Sequence, residues 1–338
     1  MAKLNKTSKA KKAPKGKVRK SLGKGTKAFL IFIGMTIATL FIYGAIQILN
    51  KQLILAKTQD VGLDLEIDGT GTPSGPFKEP WGVATDADGN FYVTEFSGHR
   101  FRKFNPSGSE VLSVGSLGKE EGQFNQPSGI YVDPQGVIYV SDTFNYRIQK
   151  FSADGQFIKQ WNHSFNGAKG IGGFGNRIYV VDTGNHKVQV FDTEGNFLKE
   201  WGGFGTSDGK FREPEGCTID PNGFIYVVDS DNLRIQKFDL EGKLKDVFRV
   251  STWRGKNDEM PYLAIAQGAI FTTNASQKWV LKYSATGSVL GIYKKPGKDM
   301  GFDGAAGLAI DNQGRAIVVE RGTGKVARFP IPPSTSNR

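Results

Sequence analysis

One pattern returns six times along this chain, and it constrains the fold more than any other feature. Residues 90–104 read NFYVTEFSGHRFRKF, 137–151 VIYVSDTFNYRIQKF, 177–191 RIYVVDTGNHKVQVF, 224–238 FIYVVDSDNLRIQKF, 269–283 AIFTTNASQKWVLKY and 315–329 RAIVVERGTGKVARF. The closing aromatics, Phe104, Phe151, Phe191, Phe238, Tyr283 and Phe329, stand 47, 40, 47, 45 and 46 residues apart. That period belongs to propellers, whose blades each contain four strands.

Each unit spells out strands and turns. Tripeptides Pro80-Trp81-Gly82, Pro127-Ser128-Gly129 and Pro214-Glu215-Gly216 open the first strand, where a missing ladder donor is tolerated. Asp86-Ala87-Asp88-Gly89 and its counterparts at Asp133, Asp220 and Asp311 suit a type I turn. The second strand is β-branched and aromatic, as in Ile178-Tyr179-Val180-Val181. The third ends on the repeated aromatic, and a second glycine turn leads to a fourth. The sixth unit stops after its third strand, whereas the alternating segment 63–68 precedes the first unit without a partner. The reading is therefore an all-β six-bladed β-propeller over 62–330, closed by an N-terminal strand that completes blade six.

The motifs resemble those of the NHL-repeat propellers: a P-x-G lead-in, an IYV-x-D strand, then N-H-[RK]-[IV]-Q-x-F. Asn185-His186-Lys187-Val188-Gln189-Val190-Phe191 matches closely, and units two and four match through Asn145-Tyr146-Arg147-Ile148-Gln149 and Asn232-Leu233-Arg234-Ile235-Gln236. Unit three lacks the proline, and units five and six are degenerate. Paired Gly-His and Trp-Asp signatures of WD repeats do not occur. The resemblance implies an interaction module.

Charge separates the propeller from what precedes it. The chain carries 44 Lys and Arg against 33 Asp and Glu. Eleven of the bases and none of the acids fall in 1–27, leaving 33 of each sign in the rest. A neutral body argues against nucleic acid, which demands a surplus of cations. Residues 28–49, AFLIFIGMTIATLFIYGAIQIL, are uncharged, and as a transmembrane α-helix they would extend about 33 Å, enough to cross a bilayer. The run is longer than a cleaved signal's apolar region, and no Ala-x-Ala follows. The expected organisation is a basic cytoplasmic tail (1–27), a transmembrane helix (28–49), a linker (50–61), the propeller outside the cytoplasm (62–330) and a C-terminal tail (331–338).

The chemistry-bearing residues fall into columns across the repeats. Glu95, Asp142, Asp182, Asp229 and Glu320, with Asn274, end the second strands. Arg100, Arg147, Lys187, Arg234 and Lys325, with Trp279, follow five residues later. Cross-strand pairs that hold a loop are the expected role; a calcium-binding ring of carboxylates is the alternative. His99 and His186 occupy the motif position and are expected to be structural. Three histidines in all supply no set on the first strands like the metal-binding one of amidating lyases. No cofactor is expected, with a bound calcium or zinc ion as the alternative. Cys217, the single cysteine, aligns with Ile130 and Leu308 and is expected in the core.

What remains is recognition. Long lead-in loops and the acid–base loops share one face, which carries the candidate ligand residues Trp81, Arg100, Phe144, Tyr146, Arg147, Arg234, Trp253, Arg254, Tyr262 and Trp279. The expected partners are the membrane, through the single span, and a protein, peptide or glycan on the loop face. An extracytoplasmic metal-dependent lyase or hydrolase is the alternative.

Overall fold

The computed structural model describes residues 57–250, 252–253, 262–297 and 301–332, with Thr36, Thr39 and Tyr43. The chain divides into two units, Met1–Ala56 and Lys57–Arg338. Apart from those three residues, the expected span at 28–49 lies outside the described residues. Among the described residues, no helix is long and apolar enough to cross a membrane.

Six sheets make up the second unit among the described residues. Blade one contains Pro80–Thr85, Phe91–Glu95, Arg100–Phe104 and Glu110–Val114, from the axis outward. Blade two contains Pro127–Val132, Ile138–Asp142, Arg147–Phe151 and Phe157–Trp161. Blade three contains Ala168–Phe174, Arg177–Asp182, Lys187–Asp192 and Phe197–Gly202. Blade four contains Pro214–Ile219, Ile225–Asp229, Arg234–Phe238 and Leu244–Arg249. Blade five contains Leu263–Ala266, Ala269–Asn274, Trp279–Tyr283 and Val289–Lys294. Blade six supplies Ala305–Ile310, Arg315–Glu320 and Lys325–Pro330. The inner strands of successive blades touch, and those of blades six and one complete the ring.

Closure follows the sequence expectation. Leu65–Ile67 pairs antiparallel with the third strand of blade six, Leu65 opposite Arg328 and Ile67 opposite Val326. Charge reinforces the seam: Asp64 lies 3.1 Å from Arg328 and 3.2 Å from Arg315. A further strand, Thr58–Asp60, falls within the segment read as linker. It adds in parallel to the outer strand of blade five, with Thr58 opposite Ile292. Its three residues, TQD, carry no apolar alternation that would announce a strand. Val61 follows it into the core.

Both aromatic columns are buried. Tyr92, Tyr139, Tyr179, Tyr226 and Phe271 fill the second-strand layer, and Phe104, Phe151, Phe191, Phe238, Tyr283 and Phe329 the third. The turn aspartates hold their own loops: Asp133 accepts from the Gly136 amide at 2.9 Å through its carbonyl and from Gln135 and Val137 through its carboxylate. The lead-in glycine has a different cause. A Cβ at Gly129 would fall 2.0 Å from the Lys169 carbonyl oxygen of blade three. At Gly82 it would meet the Ser128 carbonyl, at Gly170 that of Glu215, and at Gly307 that of Trp81. Neighbouring inner strands approach so closely that only hydrogen fits between them.

Candidate functional site

The acid column pins the lead-in loops. Asp142 is fully buried, and its Oδ2 accepts from Arg147 at 2.7 Å, Asn145 at 2.9 Å and Gln149 at 3.1 Å. Its Oδ1 takes the Asn125 amide at 2.7 Å. Asp229 repeats this with Arg234, Asn232, Gln236 and the Arg212 amide. Asp182 repeats it with Asn185, Gln189 and the Asn166 amide. The motif N-x-R-I-Q is thus a set of donors converging on one buried carboxylate. Burial pushes the Asp142 carboxyl up, against the pull of these donors. In blade one, Glu95 pairs with Arg100 at 3.0 Å and Arg102 at 3.2 Å. All five acids stand opposite their basic partners in register. Lys187 and Lys325 turn instead to Glu200 and Glu66.

The histidines hold backbone. His99 Nδ1 accepts from the Gln126 amide at 3.1 Å, and His186 Nδ1 from the Glu213 amide at 3.3 Å. Gln126 and Glu213 precede the lead-in prolines and have φ of 56° and 48°, a left-handed conformation that needs such support. Burial lowers the pKa of His99. His163 stacks on Phe197 with centroids 4.0 Å apart. Among the described residues, no group of three His, Cys, Asp or Glu is placed to hold a metal ion.

The axis carries the remaining chemistry. A channel cavity of about 220 Å³ is lined by all six inner strands, with no carboxylate or imidazole in its wall. Its polar side chains are Thr85, Tyr131, Thr218, Tyr262 and Cys217. Cys217 is in this wall, half-buried and packed against the core between blades three and four, and burial pushes its thiol up to about 12. At the mouth, Lys169 binds Glu215 at 2.9 Å. Desolvation raises the pKa of Glu215, with Lys169 opposing. Arg321 lies 3.9 Å over the Trp81 ring and reaches Glu79 at 2.8 Å. Trp81 stacks on Phe96 at 4.4 Å, and Phe96 meets Phe144 edge-on at 6.1 Å.

Comparison with known proteins agrees with this architecture. The NHL repeat family matches residues 77–104 and 124–151, and a 6-bladed beta-propeller family matches 167–251. The chain is a six-bladed β-propeller with NHL repeats in its first two blades. No curated protein matches the chain. Among solved structures, a streptogramin B lyase aligns with a TM-score of 0.58 at 13% identity, covering 79% of this chain and 98% of that one. A gluconolactonase from Xanthomonas campestris aligns at 0.57 and 15% identity, covering 75% and 87%. A chain of a nidogen/laminin complex aligns at 0.56 and 17% identity, covering 69% and 85%. At these identities the likeness is one of fold.

Within the NHL propeller the candidate ligand residues fall into separate places. Phe144 and Tyr146 are each 48% exposed. They line a hollow of about 510 Å³ beside Arg147, with Lys119, Gln160 and Asn162. Arg147 and Arg234 are buried, and their guanidinium groups bind the acid column and lead-in carbonyls such as Gln123 and Lys210. Arg100 is held likewise by Glu95 and the Ser74 carbonyl. These three arginines hold loops together, and Arg147 also borders the hollow beside Phe144 and Tyr146. Trp253 is also buried, 4% exposed, because its lead-in folds back onto blade four through the Val250 carbonyl. Trp279 is half-buried opposite Asn274, and Arg254 lies outside the described residues. Trp81 and Tyr262 stand at the channel mouth. Sequence reasoning missed Lys169, Glu215 and Arg321. The available signal was the middle position of the lead-in tripeptide, where Trp81, Ser128, Lys169, Glu215 and Ala306 differ between blades.

Proposed function

We propose that this protein is a membrane-anchored recognition module whose propeller stands outside the cytoplasm and binds a protein, peptide or glycan. The observation that carries the reading is the arc Arg321, Trp81, Phe96, Phe144, which ends at the exposed rings of Phe144 and Tyr146. Aromatic and arginine side chains with accessible surface are the usual anchors of an interface. The basic 1–27 tail and the uncharged 28–49 run support a single span with the tail in the cytoplasm.

The full chain, purified in detergent, is to be screened on peptide and glycan arrays beside Phe144→Ala and Tyr146→Ala variants. Binding that falls about tenfold in both supports the reading, and binding indifferent to both refutes it. Topology is tested by placing a cysteine at Ser8 in a Cys217→Ala background and labelling intact cells with an impermeant maleimide. The tail should label only after lysis. The lyase and lactonase likeness keeps an enzymatic reading in view; stoichiometric calcium or zinc in the purified protein would put it first.

A further inference from the structure

Three polar atoms at the channel mouth have no hydrogen-bond partner among the described residues: Glu215 Oε2, the Tyr262 hydroxyl and Trp81 Nε1. Glu215 is 6% exposed and Trp81 3%. A buried carboxylate oxygen left without a donor is costly enough to need a reason. The three come from the entry ends of the inner strands of blades four, five and one, and Tyr262 among them lines the axial cavity. The Tyr262 hydroxyl faces the Trp81 indole N–H closely enough to interact with it, and lies within electrostatic reach of Glu215 and Arg321. Beneath it is the channel cavity, with the Thr85, Tyr131 and Thr218 side chains in its wall.

The character of the missing group follows from what is already occupied. Lys169 pairs with Glu215, and Arg321 pairs with Glu79. The charges at the mouth are matched, so a phosphate or carboxylate would find no spare cation. One face of Trp81 is covered by Phe96 and the other by Arg321. An ammonium ligand would need one of those faces open. What Trp81 offers is its N–H edge. The mouth therefore presents one acceptor, one donor and one hydroxyl that does both. Only a neutral group that donates and accepts in turn answers all three, and hydroxyls do so. The cavity, about 220 Å³, is below the roughly 300–1,000 Å³ of drug-sized pockets.

We propose that the mouth of the central channel binds an uncharged polyhydroxyl group the size of one sugar ring, held by Glu215, Tyr262 and Trp81. This narrows the recognition reading to a chemical class and rests on it. The test uses the full chain in a non-glycosidic detergent, because alkyl glycosides carry the group in question. Saturation-transfer NMR is recorded with glucose, galactose, mannose and N-acetylglucosamine, and with tetramethylammonium and inorganic phosphate as charged probes. At least one sugar should respond at about 10 mM, with affinity about tenfold weaker in Tyr262→Phe and in Glu215→Gln. Melting temperatures should stay within about 3 °C of the parent, separating lost contacts from lost fold. Silence from every sugar overturns the proposal and leaves water as the mouth's occupant. Equal response in both variants, or a stronger response to either charged probe, overturns it too. If the arrays respond to peptides alone and lose that response in Phe144→Ala, recognition survives and the sugar assignment fails.

Discussion

Blades one to four and blade six each place a glycine at the third position of the lead-in, at Gly82, Gly129, Gly170, Gly216 and Gly307. By register, blade five places Tyr262 there, since Leu263 opposite Thr272 corresponds to Ile130 opposite Val140. At Gly82, Gly129, Gly170 and Gly307 the position closes the ring, because a neighbouring carbonyl leaves no room for a side chain. In blade five the same position sends a phenol over the channel. Blade five also loses the charged loop pair, with Asn274 opposite Trp279 where Asp142 faces Arg147. Repetition in this molecule maintains the scaffold, and the departure from it supplies chemistry at the axis.

The comparison breaks most visibly at the loop pairs. Arg147→Ala leaves Asp142 buried without its charge partner and should cost about 3–5 kcal/mol in urea denaturation. Trp279→Ala, at the matching position of blade five, strands no charge and should cost less. Equal losses would mean that the acid column does not anchor the loops.

Next in size is the glycine column. Gly129→Ala forces a methyl against the Lys169 carbonyl and should destabilise by about 3 kcal/mol, measured the same way. A neutral outcome would show that inner strands can separate without penalty.

A pH effect follows from Glu215. Its carboxyl, raised by burial, keeps its proton to higher pH in the folded protein than in the unfolded chain. Its contribution is therefore fullest below the usual carboxylate range and is lost as pH rises through the raised value. Asp142 and Glu320 act with the same sign. Denaturation from acid to neutral pH should show a shallower fall in Glu215→Gln than in the parent. A parallel pair of curves would place the Glu215 value in the ordinary range.

Smallest of all is Tyr262→Phe. The hydroxyl's one neighbouring donor is the Trp81 indole, so its removal should change stability by no more than about 1 kcal/mol. A larger loss would reveal a structural partner.

Much of the scaffold was legible in the sequence because its rules are local. The IYV run, the Asp-x-x-Gly turn and the closing aromatic each specify a strand or turn within a few residues. Ring closure by 63–68 was legible through a missing fourth strand at one end and an unpartnered one at the other. Thr58–Asp60 was not, because a parallel strand of three polar residues draws its pairing from Val289–Lys294 alone. The ligand face was legible only in part. Phe144 and Tyr146 are exposed as read, whereas Arg147, Arg234 and Trp253 are buried. Residue type marks an anchor, but burial depends on which lead-in loop folds back. Lys169 and Glu215 differ from their counterparts at one lead-in position, but what they face is set only once six blades close.

The most direct test returns blade five to the common pattern. Saturation-transfer NMR on the full chain carrying Tyr262→Gly, with the sugar that the parent binds, asks whether the departure makes the site. The account predicts a folded protein whose sugar response is gone. An undiminished response from a folded Tyr262→Gly protein would contradict it.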